Sequence, residues 1–416
     1  MLEVVFCAYL LLLLLRPQEW LASLHEVPVL QVLLLTCLAL WLFRGRKAIG
    51  LPQFPLLVWF VVATVISAAA IGWLGLIPVQ YERLGPTLAM FAVLTTVAQP
   101  LPMLRRIMLL TILSACAMVL HGHLQLGAGV GWTGTKPMLG RIAYSGIFND
   151  PNDLGQLFVV CIAFCLYLRT GASGRARLLL AAAILWLGYG IYLTDSRGTM
   201  LAALAVLALI AARRYGKIVL IVLGVLLVPL LVLYTRFGEI SAQEQSASER
   251  VEAWYQGFQM FLGRPLTGVG LGQFIEHNAL TAHNSIMLPM AELGLLGFIP
   301  WFGIVVVTAQ MVYWLAFGAR TPRDYGTEAS AVQAEREAGF GLLLMAVGFA
   351  VSAFFLSTSY KHMFFFVVAL IVARFYHARQ ILVGAPPLTL PSVLPRVAAL
   401  SFAAIAGMWV LTRVLL

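Results

Sequence analysis

The stretch RLLLAAAILWLGYGIYLT, Arg177 to Thr194, is followed by Asp195-Ser196-Arg197-Gly198 and then by TMLAALAVLALIAA, Thr199 to Ala212. It reads as two apolar helices joined by a tight polar turn. A helix of about 20 residues covers the roughly 30 Å hydrocarbon layer of a bilayer. Only a helix satisfies its own backbone hydrogen bonds in that layer without closing into a barrel. Working outward, the same pattern recurs at about 2–15, 27–43, 54–73, 86–99, 106–123, 154–169, 217–234, 296–317, 338–357, 362–377 and 396–414. Of the 416 residues, 61% are hydrophobic and only 11% are charged. The mean hydropathy is +0.93. A soluble domain carries roughly 25% charged residues. The chain is therefore expected to be an all-α polytopic membrane protein with about 12–13 transmembrane helices, residues 1–416 forming one membrane-embedded domain.

The net charge of +10 does not point to nucleic acid. The cations sit in small groups between the spans rather than on one polar face. Arg44/Arg46/Lys47, Arg105/Arg106, Arg169/Arg175/Arg177, Arg213/Arg214/Lys217, Arg320/Arg323/Arg336 and Arg374/Arg379/Arg396 occupy alternate loops. By the positive-inside rule these loops are cytoplasmic. The N-terminus is then inside, the C-terminus outside, and two external loops, 124–153 and 235–295, are long enough to hold a site. The first apolar run lacks a basic n-region and a cleavage site, so it reads as a retained span. Cys7, Cys37, Cys116, Cys161 and Cys165 all lie in apolar spans, with no disulfide framework.

The loop 235–295 holds most of the polar chemistry. SASERVEAWYQGFQMFL, Ser246 to Leu262, reads as a helix opened by a Ser246/Glu249 capping box. Val251, Trp254, Phe258 and Phe261 give it an apolar stripe suited to a membrane surface or a bundle mouth, with Arg250 on the edge. The helix breaks at Gly263-Arg264-Pro265. Next come the turn GVGLG, Gly268 to Gly272, where the backbone can approach a neighbour closely, and HNSIMLPMAELGLLG, His283 to Gly297.

Arg197 and Arg250, with Arg83, Lys136, Arg141 and Arg264 as further external cations, suit a diphosphate, whose oxygens a guanidinium fork binds in pairs. Interfacial anchoring and local ion pairs are the competing roles. An imidazole at His283 can take a proton from a sugar hydroxyl, or it serves as a helix cap. FNDPNDL, Phe148 to Leu154, reads first as a turn and helix cap. The external carboxylates are scattered, so no metal site is expected.

These residues resemble a known family. His283-Asn284, nine further residues, and Gly294-Leu295-Leu296-Gly297 are similar to the H-[N/S/Q]-x9-G-x-x-G signature of the O-antigen ligase and Wzy-type polymerase superfamily. GIFNDPNDLG (Gly146 to Gly155), Ser196-Arg197-Gly198, and Arg250 and Trp254 leading to Pro265, Gly268 and Gly270 agree in order. The resemblance implies a GT-C-like, metal-independent inverting glycosyltransferase of the bacterial inner membrane, with no cofactor and its active site in the periplasmic loop 235–295. The implied partners are an undecaprenyl-diphosphate-linked glycan donor, a lipid A–core or other envelope acceptor, and membrane lipids. His283 would be the base, and Arg197 and Arg250 would hold the diphosphate. Arg83, Asn149, Asn152, Arg264 and Asn284 are expected as secondary substrate contacts. Asp150 is an extra acid relative to the family pattern.

A Wzy-type polymerase joining lipid-linked repeats is the alternative within the superfamily. A lipid or solute transporter is the alternative outside it, and would place broken helices and charges at mid-bilayer. The enzyme reading expects a cavity that brings His283 near both arginines and opens sideways to lipid.

Overall fold

A computed structural model describes residues 1–25, 27–216, 218, 240–319 and 329–415; side chains are described for all of these except 240–248 and Ala329. The expected span 217–234 apart from Ile218, with Lys217, Arg320 and Arg323, lies outside the described residues. The chain forms α1 (Leu2–Leu15), α2 (Val29–Leu42), α3 (Gln53–Ala70), α4 (Leu76–Val97), α5 (Leu101–Ala128), α6 (Pro151–Thr170), α7 (Gly174–Thr194) and α8 (Arg197–Tyr215). It continues with α9 (Ile240–Gly263), the short α10 (Phe274–His277), α11 (Met287–Tyr313), α12 (Ala329–Ala353), α13 (His362–Ile381) and α14 (Leu390–Leu415). Among the described residues there is no sheet, and nine helices are long and apolar enough to cross a membrane. The α1 and α2 helices, at 14 residues each, are shorter than a full crossing.

α6 is the centre of the bundle and the most enclosed of the spanning helices. Close packing around it depends on small residues, which matter most where both helices and lipid are apolar. A Cβ on Gly155 would lie 2.6 Å from Thr199 Oγ1, and one on Gly190 would lie 2.5 Å from Val119 Cγ2. At one end, the buried Arg374 guanidinium pairs with the buried Glu335 carboxylate and donates to the Gln99 carbonyl.

Three local expectations change. The segment 74–85, expected as an external loop, is mostly helix: α4 runs unbroken from Leu76 through Glu82, Arg83 and Pro86. Tertiary packing overrides its weak apolar signal; Thr87 Oγ1 lies 3.2 Å from His362 Nε2. Ser246 does not open a helix, because α9 begins at Ile240 and the good helix formers Ala242, Gln243, Glu244 and Gln245 before Ser246 propagate it. The loop 235–295 also ends early, since α11 starts at Met287.

Candidate functional site

α11 is two helices in one. At Gly294 the backbone leaves helical geometry, with φ 57° and ψ −159°. The gap is filled by the Pro265–Leu271 segment, which pairs with it through Val269 N to Ala291 O (3.1 Å), Gly270 N to Glu292 O (2.8 Å) and Leu295 N to Pro265 O (2.8 Å). A Cβ on Gly268 would lie 2.2 Å from the Glu292 carbonyl carbon, and one on Gly294 would lie 2.5 Å from that of Leu266. The glycine turn and the first glycine of the signature therefore meet backbone to backbone. Glu292, buried, fixes the same turn by accepting from Phe274 N at 3.2 Å.

The first half of α11 is capped by Asn284, whose Oδ1 accepts from Ile286 N (2.8 Å) and Met287 N (2.9 Å). The preceding His283 is then forced to positive φ, 46°. That conformation is uncommon outside glycine. Asp195 has the same geometry, φ 45°, at the α7–α8 turn that presents Arg197. α9 closes over this end of the bundle. Trp254, Phe258 and Phe261 are buried, Trp254 stands edge-on to Phe354 at 5.8 Å, and Gly257 admits Met287 and Phe274.

Four segments thus bring their charges together. Arg250, half-buried on α9, feels Arg141 and Arg197. Burial first and these like charges second push its pKa below the ordinary arginine value, while Asp150 opposes them. Arg141 is held by Thr194 O (Nε, 2.7 Å) and Asn152 Oδ1 (Nη2, 2.8 Å), and burial lowers its pKa against Asp150 and Asp195. His283 is lowered from the usual histidine value by burial first and by Arg250 second. Asp150 raises it, Lys361 lowers it and Glu249 raises it. Three guanidiniums gathered beside Asp150 and Asp195 have the chemistry that suits an anion.

The remaining expected residues divide. Asn149 is exposed and lines a cavity of about 230 Å³ with Asp153 and Lys361. Asn152 is engaged: its Oδ1 accepts from Arg141, and its N and Nδ2 donate to Asp150 Oδ1 at 2.7 and 2.9 Å. Asn284 is fully buried as a cap. Arg83 borders a separate cavity of about 520 Å³ between α4 and the Leu271–Ile275 turn. Arg264 is exposed at the end of α9, against Ala70 O at 3.4 Å. Neither Arg83 nor Arg264 is among the charges that shift His283 or Arg250. The sequence offered Arg141 only as one of several further external cations and Asp150 as part of a turn and helix cap, a capping role it does fill, and it did not single out Lys361. An apolar groove of about 370 Å³ begins at Ser285, Ile286 and Thr358 and runs between α11, α12 and α13 toward Tyr313 and Leu343.

Residues 181–302 match the O-Antigen ligase family. This segment is similar to an O-antigen ligase domain. The matched segment contains Arg197, Arg250, His283, Gly294 and Gly297, whereas Arg83, Arg141, Asn149, Asp150 and Lys361 are supplied by the chain on either side of it. Carried by a multi-pass membrane protein, the domain implies glycosyltransferase-like ligase or polymerase chemistry. Among curated proteins, none matches the chain.

The charges around His283 set a pH prediction. Asp150 is one of the groups that raise the His283 pKa. Asn caps a helix as well as Asp does, so Asp150→Asn keeps α6 and removes the charge. The His283 pKa then falls further. For a group that must be neutral to accept a proton, the acid limb of a pH–rate profile moves to lower pH, and the plateau drops because the base is weaker. A profile of transfer rate against pH for both proteins measures it; an unmoved limb would remove His283 from the titration.

Proposed function

We propose that the protein is an O-antigen-ligase-like glycosyltransferase. It moves a glycan from undecaprenyl diphosphate to a hydroxyl of lipid A–core, or of another envelope acceptor, on the periplasmic face of the bacterial inner membrane. The observation that carries this reading is the convergence of His283 with Arg250, Arg197 and Arg141 at one end of the bundle. In this reading α9 supplies one arginine, and the segment between α10 and α11 supplies the base.

In this reading the arginines bind the diphosphate, and His283, neutral because burial and Arg250 disfavour its charged form, receives the acceptor hydroxyl's proton. The acceptor oxygen bonds to the anomeric carbon as the bond from that carbon to the diphosphate oxygen breaks. The electron pair leaves on the diphosphate, and the configuration inverts. Fixed positive charge stabilises the departing anion where it develops, so the reaction proceeds without a metal ion or cofactor. The apolar groove beginning at Ser285 and Ile286 suits the isoprenoid tail of such a donor.

The test is a reconstituted reaction of purified protein with polyprenyl-diphosphate-linked glycan, lipid A–core and EDTA. Acceptor-dependent product is expected. Lengthening of lipid-linked chains alone would make the protein a polymerase, and lack of turnover with either acceptor would remove the transferase reading.

A further inference from the structure

One cation beside His283 lies outside the matched domain and on a different helix pair. Lys361 caps the start of α13. Its ammonium pairs with Asp153, and the partners are unequal: the lysine side chain is 46% exposed, the aspartate 6%. An ammonium has three donors, and a single buried carboxylate leaves donors facing outward. Two cavities meet at this residue. The smaller is lined by Asn149, Asp153 and Gln156, the larger by Arg83, Gln80 and Thr281, and Lys361 with His362 belongs to the wall of both.

The segment carrying Lys361 is bolted to the histidine loop. Ser285, two residues beyond His283, donates to Leu356 O (2.6 Å) and accepts from Thr358 N (3.0 Å), while Ser359 Oγ donates to Ser285 O (2.7 Å). Ser285 N also donates to Ala353 O at 3.1 Å, and Thr281 Oγ1 lies 2.8 Å from Ser357 Oγ. Lys361 and His283 therefore share one rigid frame.

We propose that Lys361 is a substrate-binding residue that holds a phosphate oxygen where the two cavities meet, with Asp153 as the counterion that fixes its ammonium there. This rests on the glycosyltransferase reading and extends it to a group the arginines do not explain. The phosphate belongs either to the donor diphosphate or to a phosphorylated acceptor, and the experiment separates the two.

Lys361→Met and Lys361→Arg are compared with wild type in three measurements. The first is direct binding of inorganic pyrophosphate to detergent-purified protein, where Lys361→Met is expected to weaken affinity about tenfold and Lys361→Arg to retain most of it. The second is the pair of KM values, for the lipid-linked donor and for core oligosaccharide with and without phosphatase treatment. A rise in donor KM assigns the oxygen to the diphosphate; a rise only for untreated core assigns it to the acceptor. The third is the acid limb of the pH–rate profile. Lys361 and Arg250 lower the His283 pKa while Asp150 and Glu249 raise it, so losing Lys361 moves the limb to higher pH. A purely structural residue would not do this.

If wild type makes no product but pyrophosphate affinity falls in Lys361→Met, the anion site stands and the transferase reading fails. If product forms while pyrophosphate affinity, both KM values and the acid limb are unchanged in Lys361→Met, the proposal is overturned. Misfolding of Lys361→Met leaves Asp153→Asn to decide: removing the buried carboxylate frees the lysine and must alter pyrophosphate affinity, and unchanged affinity in Asp153→Asn overturns the proposal.

Discussion

His283→Asn is expected to lower the transfer rate by about 10²- to 10⁴-fold, the range a positioned general base contributes. Asparagine is the informative substitution because His283 has φ 46°, and Asn adopts that conformation more readily than most residues. The Asn284 cap and the Ser285 hydrogen bonds are untouched. Thermal stability in detergent and donor binding should therefore match wild type, with Arg250 and Arg197 still holding the diphosphate. Single-turnover transfer with donor preloaded isolates the chemical step. A rate within a few-fold of wild type would mean that another group, or water, takes the hydroxyl proton.

Gly294→Ala is expected to be severely damaging for a change of one methyl group. With φ 57° and ψ −159°, Gly294 occupies a region essentially reserved for glycine, which strains other residues by about 1–3 kcal/mol. The new Cβ would also fall 2.5 Å from Leu266 C and 2.7 Å from Leu266 O. Backbone cannot step aside like a side-chain tip, and overpacking of this kind adds about 1–3 kcal/mol. The pairing of Leu295 N with Pro265 O and of Leu296 N with Leu266 O would open, loosening the turn that abuts Glu292. Unfolding temperature and transfer rate should fall together. Gly127→Ala on α5, where a Cβ meets nothing within 4 Å, is the control and should be near neutral. A Gly294→Ala protein as stable as that control would contradict the backbone-to-backbone account.

Much of the architecture was legible because hydrocarbon thickness imposes run length, and run length survives in a single sequence. α4 was half hidden because Glu82, Arg83 and Pro86 interrupt its apolar run; only packing against α13 shows it to be one helix. His283, Arg197 and Arg250 stood out in the sequence because each sits in a short local pattern next to a glycine, a cap or an aromatic stripe. The glycines of the signature were readable as close approaches, but not what they approach, since Gly268 and Glu292 meet only in three dimensions. Lys361 and Asp153 are separated by 208 residues, and Arg141 earns its place through Thr194 and Asn152. No periodicity encodes such pairings.

The Arg374–Glu335 pair has a directional meaning. Glu335 and Ser352 lie on the same helix, α12, roughly 25 Å apart along its axis. Ser352 accompanies Ala353 at the His283 end, while Glu335 meets Arg374 and the Gln99 carbonyl at the other. Parting a buried pair of this kind costs about 3–5 kcal/mol. The pair thus clamps α12 to α13 at the end away from His283, so the charges there hold helices together while those around His283 stand free to meet a ligand.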